Sequence, residues 1–362
     1  MKILLGILCS PLIAITLLYG QQPRSGPWVM EASGTTAGLR GIHAVGGGVA
    51  WASGTNGTVL RTEDGGYMWQ RCAMPPDAEK LDFRGIWAWD ADTAVIMSSG
   101  TGDLSRIYKT TDGCAHWKLL FTNPDKDGFW DAIQFYQNPP DGFILGDPVK
   151  GHFVLFNGNA NGSKWTQEVT LNGLKPLHGE AIFAASNSAF DADVINGFYF
   201  GTGGDLGAWF VYETDNDNGT ETWSRVRVPV GNSSVSSGIF SIQLRSDETD
   251  DPDLPVRNHG VAVGGDYTKP DDSAGTAALT ADGGKHWTAS AKPPHGFRSA
   301  VAWDATAKAW ITAGSNGSGI SYDDGKTWTP LDNGNWNALS LPWIVGPRGR
   351  IAKLDESKLP KN

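Results

Sequence analysis

The sequence predicts an all-β fold, and three observations support that prediction. Of its 362 residues, 47 are glycine and 16 are tryptophan while only 19% are charged, which is the composition of turn-dense β proteins. Short apolar stretches alternate with Gly, Asn and Asp turns, with no convincing helical period. Near-copies of one eight-residue motif also recur along the chain, which indicates a repeated structural unit.

The clearest copies of this motif are TEDGGYMW (62–69), TTDGCAHW (110–117), TADGGKHW (280–287) and SYDDGKTW (321–328). Two degenerate copies end at Trp165 and Trp223. The closing tryptophans follow one another at intervals of roughly 40 to 65 residues, a spacing that marks propellers or solenoids. Each copy is preceded by three apolar strand patterns separated by turns, and the looser versions of this pattern start at Phe129, Glu180 and Ile239.

The two ends of the chain decide the number of repeats. Residues 337–354 begin a seventh copy that stops before any motif, while residues 27–32 look like the tail of a copy that lacks its front. The N-terminal strand therefore supplies the outer strand of the last unit, which closes a ring and removes open sheet edges. The prediction is a seven-bladed β-propeller of four-stranded blades, formed as a single domain by residues 21–362.

The recurring motif resembles the Asp-box, also called BNR, with the pattern Ser/Thr-x-Asp-x-Gly-x-Thr-Trp. We expect it to form the hairpin between the third and fourth strands of a blade. The Thr62 hydroxyl and Asp64 carboxylate suit hydrogen bonds from the backbone amides of the turn, and Trp69 suits burial beneath it. These residues are predicted to be structural, although the same residue types occur in catalytic and metal-binding loops.

Several families share the Asp-box, including sialidases, two-domain xyloglucanases, sortilin-type receptors and photosystem II assembly factor propellers. Residues 42–69 and 86–117 resemble the repeat of the assembly factor group most closely. This resemblance covers nearly the whole chain after residue 20, and it implies a shared scaffold. Because propellers host both binding proteins and enzymes, the scaffold alone does not define a function.

The first twenty residues are predicted to be a secretory signal peptide. Met1-Lys2 precedes an apolar run, and Gly20 stands before the polar stretch QQPRSG. The mature chain would then begin near Gln21, be secreted or periplasmic, and have no membrane span. The alternative is an uncleaved anchor, but Pro11 interrupts a run that is barely long enough to cross a bilayer.

The predicted export favours a disulfide between the two remaining cysteines, and the net charge restricts the class of partner. In an oxidising compartment Cys72 and Cys114 are predicted to form a disulfide, the alternative being two buried free thiols. Two cysteines without a suitably spaced histidine do not make a zinc site, so no metal is expected. No phosphate-cradling glycine motif or nucleotide fingerprint stands out in the sequence, so no cofactor is expected either. The formal net charge of −10 argues against a nucleic-acid partner.

Functional residues are expected on the face opposite the motif turns, around the mouth of the central channel. Candidate ligand-binding residues there are Arg40, Arg84, Trp130, Asp147, His178 and Arg298, and candidate catalytic residues are Asp131, Glu180, Asp266 and Tyr267. An arc of arginines facing acids suits an anionic or polyhydroxylated ligand, because guanidinium forks take carboxylates in pairs of hydrogen bonds. Paired carboxyls at such a mouth also suit general acid/base chemistry on a glycosidic bond.

Each of these assignments has a structural alternative. Arginines at the start of inner strands also tie neighbouring blades together, a lone histidine in a loop is commonly only solvated, and the stretch around Tyr267 also reads as a polar surface turn. Asp131 and Glu180 favour a functional role, because they replace the small residues found at the corresponding positions of other blades.

Two functions from different classes follow. The first is an exported propeller that binds a glycan or another polar or anionic ligand at the mouth, with glycoside hydrolase or lyase-type activity if it is an enzyme. Similarity to sialidases would imply an arginine triad, an acid/base Asp and a Tyr–Glu pair, but the chain reads as seven blades and lacks their Arg-Ile-Pro sequence. The alternative is a non-catalytic scaffold, similar to the assembly factor propellers, that binds a protein partner. A monomer is expected in both cases.

Overall fold

The computed structural model describes residues 26–135, 141–160, 164–168, 171, 173–193, 197–215, 221–246 and 258–361. The predicted signal peptide (1–20) and the predicted mature start at Gln21 lie outside the described residues. Within these residues the chain forms seven four-stranded antiparallel sheets, which are the blades of a ring, and two short 3-10 turns at Gly102–Leu104 and Glu356–Lys358. The predicted seven-bladed propeller is confirmed.

The strands follow one another in chain order, apart from the first. Strand β1 (Trp28–Glu31) belongs to the last blade. Blade I comprises β2 (Leu39–Gly46), β3 (Val49–Gly54), β4 (Val59–Thr62) and β5 (Gln70–Arg71); blade II comprises β6 (Phe83–Ala88), β7 (Ala94–Ser98), β8 (Arg106–Thr110) and β9 (Lys118–Thr122); blade III comprises β10 (Trp130–Phe135), β11 (Asp141–Val149), β12 (His152–Asn159) and β13 (Thr166–Glu168).

The remaining four blades continue in the same way. Blade IV comprises β14 (Phe190–Asp193), β15 (Gly197–Thr202), β16 (Ala208–Asp215) and β17 (Glu221–Val228); blade V comprises β18 (Ser237–Ser246), β19 (Asn258–Asp266), β20 (Ala277–Thr280) and β21 (Thr288–Ala289). Blade VI comprises β22 (Ala300–Asp304), β23 (Ala309–Gly314), β24 (Gly317–Ser321) and β25 (Thr329–Asp332); blade VII comprises β26 (Ala338–Ser340), β27 (Trp343–Gly346), β28 (Arg350–Leu354) and β1.

The ring closes where the sequence predicts. Strand β1 pairs antiparallel with β28, with Trp28 opposite Leu354. The Trp28 indole also donates a hydrogen bond to Ser318 Oγ of blade VI at 2.7 Å. Glu31 accepts hydrogen bonds from the indoles of Trp69 in blade I (2.7 Å) and Trp343 in blade VII (3.1 Å). The N-terminal strand thus joins the last blade to both of its neighbours.

The apolar core is divided among the interfaces between blades. Each of its seven buried clusters joins two neighbouring blades, and together they run around the whole ring. The cluster that closes the ring places Leu39 and Trp69 of blade I against Trp343 and Ile351 of blade VII. The inner ends of the blades are therefore held in place from both sides, which makes the channel mouth a rigid frame for side chains.

The four clear motif copies form four nearly identical turns, here called the box turns (62–69, 110–117, 280–287 and 321–328). In the first, the Gly66 amide donates to Thr62 Oγ1 at 3.0 Å and the Met68 amide donates to Asp64 Oδ1 at 3.0 Å. The same pair of bonds recurs in the other three turns. Because each hydroxyl and carboxylate is engaged by its own turn, the structural reading of these residues is confirmed.

The predicted disulfide is present and fastens one of these turns. Cys72 follows β5 of blade I, and Cys114 lies in the box turn of blade II, with their sulfurs 2.06 Å apart. Cys114 has a φ of 66°, the left-handed conformation that Gly66 and Gly284 adopt at the same position of their turns. Glycine adopts that conformation without steric cost, so the disulfide is formed from a position that favours glycine.

Candidate functional site

A segment that the sequence did not distinguish crosses the centre of the ring. Blade IV was predicted to start near Glu180, but its first strand starts at Phe190. Residues 181–189, here called the channel segment, lie between the two. Its Ala184 carbonyl accepts a hydrogen bond from Arg84 of blade II at 2.9 Å, while its Ser186 hydroxyl donates to the Ser299 carbonyl near blade VI at 2.6 Å. Blade IV does begin to pair at the predicted place, where Ala181 forms an isolated antiparallel bridge with Gly203, but its regular first strand begins only at Phe190.

Further hydrogen bonds hold the channel segment in place. The Asn187 side chain accepts from the Ile133 amide of blade III at 2.8 Å and donates to the Ile133 carbonyl at 3.0 Å. Ser188 Oγ donates to Ser241 Oγ of blade V at 2.7 Å. Asn187 has a φ of 65°, a left-handed conformation that asparagine tolerates better than most residues. The segment thus forms hydrogen bonds to four blades.

Above the channel segment lies a cavity of about 460 Å³, here called the mouth pocket. Its lining comes from every part of the ring: Arg40, Arg84, Phe129, Asp131, Asp147, residues 181–185, Phe240, Tyr267, Phe297, Ser299, Ser315, Trp336 and Asn337. The pocket has the volume of a small-ligand or side-chain site. Five of the predicted site residues line it together, namely Arg40, Arg84, Asp131, Asp147 and Tyr267.

One wall of the mouth pocket is charged. Arg84 donates to Asp82 Oδ2 at 2.8 Å, so its positive charge is already paired. The Arg40 guanidinium, in contrast, has no hydrogen bond or ion pair within the described residues, and its Nε atom is buried. Burial lowers the pKa of Arg40, and the neighbouring Arg84 lowers it further. Among the described residues no carboxylate forms an ion pair with this cation, and the charge of Asp82 offsets part of the lowering of its pKa.

The acids of this wall resist ionisation. Asp131 is 1% exposed, and burial together with the neighbouring Asp147 raises its pKa well above the usual value, against a smaller lowering by Arg84. Burial also raises the pKa of Asp147 to about 6, although its Oδ1 accepts a hydrogen bond from the Ile182 amide at 2.9 Å. The Asp131 Oδ2 atom is buried without a hydrogen-bond partner among the described residues. Burial thus favours the protonated form of both adjacent carboxyls.

The opposite wall is aromatic. Phe183 of the channel segment stacks on Phe240 of blade V with ring centroids 4.0 Å apart, and Phe297 meets Phe240 edge-on at 4.6 Å. Tyr267 approaches the same ring at 6.1 Å and is 53% exposed. This wall offers flat apolar surface to a ligand, while the charged wall offers hydrogen-bond donors. The sequence provided little indication of this wall, because its three phenylalanines belong to three different chain segments.

The structure places two of the remaining predicted residues away from the pocket lining, each fully engaged. Glu180 is 7% exposed, and its carboxylate accepts from Arg225 (3.0 Å), Thr202 (2.6 Å) and the Leu177 amide (2.7 Å). Asp266 is 5% exposed. Its burial raises the pKa, but hydrogen bonds from Thr268, Ser236 and Asn232 outweigh that effect and hold the pKa well below the usual range.

The other three predicted residues are placed in three different environments. Trp130 is fully buried between blades II and III, where it stacks on Phe121 at 5.3 Å. Arg298 is buried, and its guanidinium donates to the Gly317 and His295 carbonyls. Burial lowers the pKa of Arg298 to about 10. The His178 side chain is 92% exposed and faces only Asp205, at 3.7 Å.

A second, larger cavity lies at the rim of the ring, away from the mouth. This groove of about 890 Å³ runs beside β1 and is lined by Val29, Met30, Tyr67 and the 3-10 turn at Glu356–Lys358, among other residues. Tyr67 is 96% exposed. No group of three or more His, Cys, Asp or Glu residues suited to hold a metal occurs within the described part of the chain, and no helix there is long and apolar enough to cross a membrane.

Comparisons with known proteins agree with this architecture. No protein-family model matches the chain, and neither does any curated protein. The solved structure of YCF48 bound to D1 peptide matches with a TM-score of 0.60 at 16% identity, over 92% of this chain and 98% of that chain. YCF48 from Cyanidioschyzon merolae matches with a TM-score of 0.55 at 16% identity, over 91% and 99%.

A third match is the GH74 xyloglucanase from Xanthomonas campestris, with a TM-score of 0.37 at 16% identity over 82% of this chain and 50% of that one. A TM-score this low does not support an inference about the present chain. The protein is thus a seven-bladed β-propeller with a pocket at its channel mouth. Its fold is similar to that of photosystem II assembly factor-like propellers, as the repeat rhythm predicted.

Proposed function

We propose that the chain is an exported, non-catalytic propeller that holds a segment of a protein partner in its mouth pocket. The observation that carries the proposal is the pocket itself, with the channel segment as its floor and two chemically different walls. An extended chain with an apolar side chain suits the aromatic wall, and its carbonyl or carboxylate oxygens suit the unpaired guanidinium of Arg40. A structurally similar propeller bound to a peptide supports this choice of ligand.

Export is part of the proposal and rests on two features of the chain. The first is the predicted signal peptide over residues 1–20. The second is the disulfide between Cys72 and Cys114, because structural disulfides are formed and kept in oxidising compartments. An exported scaffold would meet its partner outside the cytoplasm.

Photo-cross-linking from matched positions tests the partner class. A photoreactive phenylalanine analogue is placed at Tyr267 in the mouth pocket and, as a control, at Tyr67 in the box turn of blade I, since both side chains are more than half exposed. We expect covalent adducts of one protein partner from position 267, mapped by mass spectrometry to a single short segment. Equal adducts from position 67, or none from position 267, would contradict the proposal.

The paired carboxyls favour a second candidate, which is action on a glycan. A carboxyl with a raised pKa is suited to act as a general acid, and burial raises the pKa of both Asp131 and Asp147 in this pocket. A screen with chromogenic glycosides compares the native chain with Asp131→Asn. Turnover by the native chain that disappears in the variant supports this candidate, and no turnover by either rejects it.

A further inference from the structure

Within the described residues, three buried polar atoms of the mouth-pocket lining have no hydrogen-bond partner. One is the Ser315 hydroxyl oxygen, and the other two belong to charged groups. Asp131 Oδ2 and Arg40 Nε both lack hydrogen-bond partners within the described residues, and both residues line the cavity. Buried polar groups are nearly always paired in folded proteins, so unpaired ones at a pocket point to a ligand that completes them. By contrast, the buried carboxylates of Glu180 and Asp266 are saturated by several hydrogen bonds each.

The charged groups around Asp131 are few. Asp147 faces it from β11 and Arg84 from β6, and Arg84 is itself paired with Asp82. Arg40 of β2 lines the same pocket. The channel segment (181–189), packed against this site from blade IV, contains no titratable side chain. The protonation of the Asp131–Asp147 pair therefore sets the net charge of the pocket.

We propose that the mouth pocket takes up a proton on the Asp131–Asp147 pair when it binds the carboxylate of a ligand that also carries an apolar or aromatic group. This inference rests on the proposed function, because it concerns the same pocket. With both acids ionised, their charges offset those of the arginines and repel an incoming carboxylate. With a proton on the pair, the repulsion falls and a carboxyl hydrogen becomes a donor to the ligand.

The two walls define the ligand class. The carboxylate lies against Arg40 and the protonated pair, while the apolar group packs on the wall formed by Phe183, Phe240 and Phe297. Burial raises the pKa of Asp147 to about 6, so the proton is exchanged within the neutral range. Affinity should therefore rise as the pH falls from about 8 to about 5.

The test uses N-acetyl-L-phenylalanine as the probe and N-acetyl-L-phenylalaninamide as its neutral control. Isothermal titration calorimetry is performed between pH 5 and 8, in pairs of buffers that differ in ionisation enthalpy. The carboxylic acid stays ionised over this range, since α-carboxyl pKa values lie near 3.5. We expect its affinity to fall by up to about tenfold per pH unit above pH 6, with net proton uptake at pH 7. The amide should bind more weakly, without pH dependence.

Two variants separate the roles of the acid pair and the arginine. Asp147→Asn keeps the oxygen that accepts from the Ile182 amide but removes the charge, so it should bind the acid at pH 8 as tightly as the native chain does at pH 5. Arg40→Gln should lower the affinity for the acid to that of the amide at every pH.

Each remaining outcome has a defined meaning. Acid binding that is independent of pH, or calorimetric heats that show no proton uptake by the native chain, would overturn the inference even if neither variant folds. Absence of a preference for the acid over the amide at pH 5 would overturn it as well. If cross-links from position 267 identify a partner segment while proton uptake is absent, the inference fails and the proposed function stands. If both experiments are negative, both fail.

Discussion

The two faces of the ring use the same residue, aspartate, in opposite ways. On the box-turn face, Asp112 accepts hydrogen bonds from His116 and Thr110 and from the His116 amide, and these contacts lower its pKa to about 2. On the mouth face, burial raises the pKa of Asp131 and Asp147, and one oxygen of Asp131 has no hydrogen-bond partner in the part of the chain that the structure describes. Neighbouring hydrogen-bond donors, rather than burial alone, decide which carboxyls ionise.

The difference shows how a repeated scaffold carries a site that is not repeated. Each box-turn carboxylate accepts hydrogen bonds from its own turn, so its replacement should lower the free energy of unfolding. The mouth carboxyls are buried in the closed ring, where ionisation is disfavoured. Their replacement by a neutral residue should therefore increase the free energy of unfolding. Strained or unsatisfied groups of this kind persist where surrounding structure over-determines them. Four predictions test this contrast, in order of decreasing expected effect.

Removing the disulfide should have the largest effect. The double variant Cys72→Ser, Cys114→Ser should lose about 2–4 kcal/mol of unfolding free energy, because the bond constrains the unfolded chain. The measurement is chemical denaturation under oxidising conditions.

A matched variant sharpens that experiment. Cys72→Ser, Cys114→Gly also lacks the disulfide but places glycine where φ is positive, as in the other three clear box turns. It should recover up to about 1 kcal/mol relative to the serine variant. Equal stability of the two variants would show that the left-handed conformation at position 114 carries no cost.

Truncating a box-turn carboxylate should come next. Asp323 accepts from Ser321 Oγ (2.8 Å), the Thr327 amide (2.9 Å) and Thr327 Oγ1 (2.7 Å). Asp323→Ala should lower the unfolding free energy by about 1–3 kcal/mol at pH 7. These hydrogen bonds lower the pKa of Asp323 against the effect of burial. Its stabilisation is therefore present above the unfolded pKa and lost as the pH falls through the folded pKa. A loss that persists unchanged at pH 2 would contradict this account.

The mouth acid should behave in the opposite sense. Burial raises the pKa of Asp147 in the folded state to about 6, from an unfolded value near 3.8. The contribution of its protonated carboxyl to the free energy of unfolding is therefore fully present below the unfolded pKa, and it is lost as the pH rises through the folded pKa. Asp147→Asn should therefore gain on the order of 1–2 kcal/mol at pH 8 and nothing at pH 3. Denaturation of both proteins at the two pH values measures this. If the substitution instead lowers the free energy of unfolding at pH 8, the ionised mouth carboxyl stabilises the fold as a box-turn carboxylate does, and the proposed difference between the two faces is wrong.

The smallest effect is expected at Tyr267. Its hydroxyl has no hydrogen-bond partner within the described residues, and its side chain is 53% exposed. Tyr267→Phe should therefore change the unfolding free energy by less than about 0.5 kcal/mol. A larger loss, measured by the same denaturation, would show that this residue belongs to the frame of the ring rather than to the surface of the pocket.

The parts of the fold that the sequence predicted are those with local or repeated causes. The hydrogen bonds from Gly66 to Thr62 and from Met68 to Asp64 span four residues, so they are encoded wherever the motif occurs. Blade number and ring closure followed from counting such copies and from matching the two incomplete ends. A repeat constrains each unit independently of the rest of the chain.

Partners of the predicted site residues also come from distant parts of the chain that meet only in the closed ring. The sequence was less informative about these contacts than about the repeated turns. Glu180 and Asp131 both replace small residues, yet Glu180 accepts hydrogen bonds from Arg225, Thr202 and a backbone amide. In contrast, one oxygen of Asp131 has no hydrogen-bond partner within the described ranges. Arg40 and Arg298 occupy corresponding positions in their blades, but only Arg40 lacks a partner among the described residues.

By itself the sequence determined an all-β ring of seven four-stranded blades, its closure by the N-terminal strand, and the structural role of the box turns. The tertiary structure alone decided that residues 181–189 cross the channel and which acids share one cavity with Arg40. The physical reason is the range of the interactions. Turn hydrogen bonds connect near neighbours in the chain, whereas the pKa of a mouth carboxyl depends on groups that only the closed ring brings together.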